Sequence, residues 1–116
     1  MIVRRLSEAK PYEAPNHRDY KSLRVFGAEM GGSQTLVFGI SHFLPGGGAY
    51  DDATPVEKVY CVLEGEVTVI THDGEATLKK YDSCYLAPNE SRSIENRTHS
   101  PASMLVAIPY PEPRDV

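Results

Sequence analysis

The stretch Phe43–Val67, FLPGGGAYDDATPVEKVYCVLEGEV, decides the fold. Three successive glycines open it, and EKVYCVL (57–63), rich in β-branched and aromatic residues, runs into the tight reversal Glu64-Gly65. Both parities of that run are apolar, so alternation alone cannot say which way Lys58, Tyr60 and Val62 face.

Outward from this stretch the same texture repeats. Strands are predicted at 22–27, 34–44, 66–72, 75–80, 83–88, 92–96 and 102–108, besides 57–63, and no segment of ten residues carries a helical period. The pair Asp73-Gly74 reads as a two-residue hairpin turn, because a type I′ turn needs positive φ at both central positions. Many short strands at even spacing predict an all-β, single-domain sandwich or small barrel. In 34–44 the even positions (Leu36, Phe38, Ile40, His42, Leu44) form the more apolar face, which predicts that they point inward and carry His42 with them.

Bulk properties set the limits. A chain of 116 residues is long enough for one core. A net charge of −4, with twelve basic residues scattered, argues against nucleic acid, where affinity rests on neutralising phosphates. No apolar run reaches signal-peptide or membrane-span form, so a cytoplasmic protein with no membrane partner is expected. Cys61 and Cys84 form no CxxC and are expected to pack as small hydrophobes.

PGGGAYDDATPVEKVYCVLEGEV followed by YDSCYLAPNESRSIEN resembles the cupin superfamily, with motifs G(X)5HXH(X)3–4E(X)6G and G(X)5PXG(X)2H(X)3N. VYCVLEGEVTV matches the end of the first motif with Gly65 as its last glycine, and Pro88 and Asn96 are kept near and at the end of the second. The resemblance implies a jelly-roll cupin barrel over 34–110. Before it, 1–33 would be an N-terminal extension packed on the barrel or exchanged with a dimer partner; after it, 111–116 would be a loose tail. It also implies a homodimer.

The resemblance assigns the metal-ligand positions to Asp52, Thr54, Lys58 and Arg92, and the motif glycines of the second motif to Tyr81 and Asn89. None of the four ligand residues is the family's own, and two are cations, which offer N–H donors where a metal needs lone pairs. The resemblance thus implies no metal and no cofactor. In their place it puts a cationic pocket for a small anionic molecule, a carboxylate above all. Arg92 would grip the carboxylate with its planar fork, helped by Asp52 and Thr54 at the rim. Lys58, with His42 or Tyr60, would move protons in an isomerisation, elimination or decarboxylation.

Other readings of the same residues stand beside this one. The pocket can bind an anion without chemistry, as a sensor does. Lys58 can pair with Glu57 or Asp52, and Arg92 can bridge to Asp52. His42 can be a hydrogen-bonded core residue. His17, His42, Asp52 and Glu57 can form a displaced metal site. His17, His72 and His99 otherwise fall in loops or at a hairpin end and are expected to face solvent.

Overall fold

One strand runs from Leu36 to Asp52, straight through Pro45 and the three glycines, in a computed structural model that describes residues 1–110. The 111–116 tail lies outside the described residues. In chain order the strands are β1 (Lys10–Tyr12), β2 (His17–Phe26), β3 (Leu36–Asp52), β4 (Lys58–Glu64), β5 (Val67–Thr71), β6 (Gly74–Leu78), β7 (Ser83–Leu86), β8 (Arg92–Glu95) and β9 (Ala102–Pro109). Two short 3-10 turns, Leu6–Glu8 and Ala28–Met30, accompany them, and no α-helix occurs among the described residues.

All pairing is antiparallel, in the order β6-β5-β8-β3-β9-β4-β7, with β2 also on β3 and β1 on β2. The long β3 makes the barrel by changing partners. Its first half pairs with β9, and after the glycines Gly48 and Ala49 pair with Glu95 and Ile94 of β8. A side chain cannot exist at that corner, since a Cβ on Gly48 would be driven into the Ile94 carbonyl. The result is a nearly closed β-barrel, all-β as predicted.

Between the two walls lies the core of Phe43, Ala49, Tyr60, Val62, Ile94 and Met104. Full burial of each large apolar side chain there contributes about 1.5–3 kcal/mol. Gly65 turns β4 into β5 with φ of 75°, and a Cβ there would stand 2.6 Å from the Pro101 carbonyl oxygen. Asn96 is 1% exposed. Its Nδ2 donates to the carbonyls of Phe43 (3.1 Å) and Ser100 (2.9 Å), while Oδ1 accepts from the N–H and hydroxyl of Thr98. That bonding explains why an asparagine stands at the end of the second motif.

Two local expectations are corrected. The hairpin turn is His72-Asp73, one residue earlier than expected, because Thr71 pairs with Gly74. Neither His72 nor Asp73 has positive φ, and the left-handed demand falls on Gly74 instead, at 120°. The phase of 34–44 is also reversed. Val37, Gly39, Ser41 and Phe43 face inward, and Leu36, Phe38, Ile40 and His42 face outward. The apolar-face rule failed because the inner face carries small residues for local reasons: a Cβ on Gly39 would stand 2.6 Å from the Leu23 carbonyl oxygen, and Ser41 lines the cavity. The outer face is the more apolar one.

The backbone keeps conformations that the sequence has abandoned. Tyr81 and Asn89, at the second motif's two glycine positions, have φ of 72° and 64°. For Tyr81, 72% exposed, a left-handed backbone is costly.

Candidate functional site

The barrel encloses a cavity of about 190 Å³. Lys58 and Tyr60 line it from β4, and Arg92 of β8 and His17 of β2 line it from the two strands that flank the second half of β3, with Tyr12 and Pro15 completing the lining. Lys58 and Tyr60 share a face of β4 because they are two residues apart, and β4 pairs with β7 and β9 so that this face is interior. Arg92 opens β8 opposite Asp52, at the mouth of the barrel. Exposures of 8% for Lys58, 6% for Arg92 and 3% for Tyr60 place two cations and a phenol in the protein interior.

Arg92 is anchored by neutral groups. Its Nε donates to the Tyr60 hydroxyl at 2.9 Å and its Nη1 to the Tyr50 carbonyl at 3.2 Å. Among the described residues no carboxylate lies within ion-pair distance of Arg92 or Lys58. Lys58 makes no side-chain hydrogen bond there either.

The pairings open to the sequence are therefore not made. The Asp52 carboxylate accepts from Asn16 Nδ2 at 3.0 Å and from the Ala53 N–H at 2.9 Å, and Glu57 accepts from the Tyr85 hydroxyl at 2.8 Å. Those two hydrogen bonds, helped by the charges of Arg92 and Lys58, hold the Asp52 carboxyl below its ordinary range. Thr54 sits in the β3–β4 loop with its hydroxyl on the Val56 carbonyl at 3.3 Å, away from the cavity lining.

Charge and burial act together on the three inner groups. Desolvation, then the Arg92 charge, lowers the Lys58 ammonium below its usual range. Desolvation raises the Tyr60 phenol against the pull of Arg92, so the phenol keeps its proton at neutral pH. Since Tyr60 oxygen already accepts from Arg92, its own O–H is free to donate to an occupant.

His42 is not in this site. It lies on the outer face of β3 with Nδ1 against the Ser103 hydroxyl at 2.7 Å, so its expected catalytic role is withdrawn on grounds of strand phase. His17, expected in solvent, lines the cavity instead. It pairs with Ala49 at the start of β2 and packs against Phe43 (ring centroids 6.4 Å) and Tyr20 (5.1 Å). Its Nδ1 is 2.7 Å from the Pro15 carbonyl. Desolvation by burial, with the charge of Arg92, moves it below the usual imidazole range. Tyr12 was not anticipated either. It stacks beneath Arg24 (4.1 Å), whose guanidinium pairs with Glu29 at 3.1 Å. No local periodicity marks Tyr12 or His17, because the pairing of β1 and β2 onto β3 brings them in.

A divalent cation does not fit this lining. The two residues that reach the cavity from ligand positions are the cations Lys58 and Arg92, which offer no lone pair while charged. The displaced set His17, His42, Asp52 and Glu57 is not gathered by the fold. Among the described residues one ligand-like group occurs, exposed His72 and Asp73 of the β5–β6 turn with partly buried Glu90 of the β7–β8 loop, and none of the three lines the cavity.

The family model described as "Cupin domain" matches residues 39–108. A beta-D-galactosidase, Rv1717 of Mycobacterium tuberculosis, is 40% identical over 111 residues, covering 96% of each chain. The polyketide cyclase RemF of Streptomyces resistomycificus superposes with a TM-score of 0.82 at 15% identity, over 94% of this chain and 79% of that one. A predicted oxalate decarboxylase of Thermotoga maritima gives 0.78 at 23% identity, over 93% and 98%. A sugar phosphate isomerase of Silicibacter pomeroyi gives 0.77 at 18%, over 93% and 75%. At those identities the solved structures share the fold.

Proposed function

This chain belongs to the cupin family, and on that premise we propose that it is an enzyme acting on a small sugar or sugar acid held in the barrel, without the family's metal. The observation that carries this is the pair Lys58 and Arg92, buried in one cavity with no carboxylate partner among the described residues. Two enclosed like charges are costly unless an anion answers them. The 40%-identical relative, named a beta-D-galactosidase, supports a galactose-type sugar as the occupant. At about 190 Å³ the cavity is smaller than the ~300 Å³ at the low end of ordinary ligand sites, which favours a compact molecule.

Arg92 retains Nη2 for one oxygen of an acid, Lys58 supplies a second charge, and Tyr60 donates a proton or hydrogen bond. Glycoside hydrolysis usually takes two carboxylates flanking the bond, and none lines this cavity. That lining favours a second reading, a non-catalytic carrier of the same anion. Calorimetry with galactose, galacturonate and oxalate, alongside turnover of an aryl β-D-galactoside, separates the two. Acids binding at least about tenfold more tightly than neutral analogues, a gap near 1.4 kcal/mol, would support the anion site. Equal binding of neutral and acidic sugars, unchanged by Arg92→Met, would sink it.

We also propose that two copies pair through the outer face of β2, β3, β9 and β4. Leu23, Ile40, Leu105 and Cys61 lie in one cross-strand row there, each partly exposed. The row is continuous with the apolar groove of Ile2, Phe26, Leu36 and Phe38. A contiguous apolar face of this kind marks an association surface.

A further inference from the structure

His17 lines the same cavity as Lys58 and Arg92, on the strand that flanks β3 across from Arg92's β8, and its tautomer is fixed by its neighbour. A carbonyl oxygen can only accept, so the 2.7 Å contact with Pro15 requires the proton to sit on Nδ1. In the neutral ring Nε2 then carries a lone pair. Phe43 and Tyr20 hold the ring plane, and Asn16, at φ 59°, ties the strap before it to Asp52 and to the Tyr50 N–H. Burial, against the opposing pull of the Pro15 hydrogen bond, and the nearby Arg92 charge hold the imidazole below its usual range and so neutral around pH 7, with Asp52 opposing and Arg18 adding to that trend.

We propose that His17 is the general base of this cavity and that its substrate is a hexuronate-type acid, whose proton α to the carboxylate it removes. This rests on the anion reading above and goes beyond it in naming base, bond and substrate class. With the carboxylate on Arg92 and Lys58, the C5–H bond breaks and the proton passes to His17 Nε2. The electron pair moves into an enediolate stabilised by the two cations. The pair then either recaptures a proton at C5 or forms the C4–C5 double bond and expels the oxygen on C4, which takes its proton from Tyr60. Either course balances without oxidant, reductant or water.

The test uses methyl β-D-galacturonide and the full chain in D2O, followed by proton NMR at C5, with calorimetry in parallel. Wild type should bind the galacturonide and exchange its C5 proton. His17→Asn, whose amide can keep the bond to Pro15, should bind within about threefold yet lose at least about a hundredfold in exchange rate, the low end for general-base catalysis. Imidazole ¹⁵N shifts of the wild type should report the Nδ1–H tautomer. Binding with no exchange, exchange unaffected by His17→Asn, or an Nε2–H tautomer would each overturn the base while leaving the anion site standing. No binding of the galacturonide would overturn the anion reading and this inference with it.

Discussion

Arg92 on β8 donates its Nε to the Tyr60 hydroxyl on β4 across 2.9 Å, joining the two walls of the barrel through its interior. Removing the hydroxyl leaves a buried charged donor unpaired. Tyr60→Phe should cost about 1–3 kcal/mol in urea unfolding, and the double variant with Arg92→Met should recover part of it. Additive losses in that cycle would mean the bond is not formed.

Lys58 holds its charge against burial, and the linkage has a definite sign. Its folded pKa lies below its unfolded value of about 10.4. Between the two the unfolded chain binds the extra proton, so stability rises with pH across that window and the penalty is full below it. Lys58→Met should remove this alkaline rise and stabilise the protein at pH 7 by about 1–4 kcal/mol while abolishing anion binding. Thermal melts from pH 6 to 10 on both proteins check this. His17, shifted in the same direction, should add a rise ending near pH 6.5.

Protein expressed with Fe, Ni, Zn and Mn supplied, and purified untagged without chelator, should carry less than about a tenth of an equivalent of any metal. Elemental analysis decides it. Near-stoichiometric metal would overturn the cationic-cavity reading.

Tyr81 occupies a left-handed backbone that the second motif reserves for glycine. Its side chain is exposed, with the Lys80 ammonium 5.3 Å from the ring centroid. Tyr81→Gly should therefore stabilise the chain by about 1 kcal/mol. Asn96→Ala, losing four hydrogen bonds at the barrel corner, should destabilise it by about 3 kcal/mol or more. Denaturant midpoints of both variants test whether the motif's backbone is what the family frame preserves.

Ile40 and Leu105 face each other across β3 and β9 on the outer surface. If two copies pair there, Ile40→Glu should shift sedimentation from dimer to monomer with the barrel still folded by circular dichroism. An unchanged sedimentation coefficient would place any association elsewhere.

Strands β4 to β9, parts of β2 and β3 and the frame of the barrel were legible in the chain because they are local, whereas β1, the start of β2 at His17 and the run of β3 on to Asp52 were not. Val-, Ile- and Tyr-rich runs favour extended backbone, glycines permit the corners, and motif spacing carries Lys58 and Arg92 to ligand positions. What lay outside sequence reasoning was set by pairing at a distance. The inward face of β3 depends on the close approach of β2's backbone at Gly39 and on the cavity at Ser41, so His42 fell on the wrong side. His17 and Tyr12 reach the cavity through β1 and β2 docking onto β3, a contact no local pattern announces. That both cations stay without a carboxylate was decided by Asn16 and Tyr85, which engage Asp52 and Glu57 first. Local propensity determines which segments are strands; only the closed barrel determines which side chains face each other inside it.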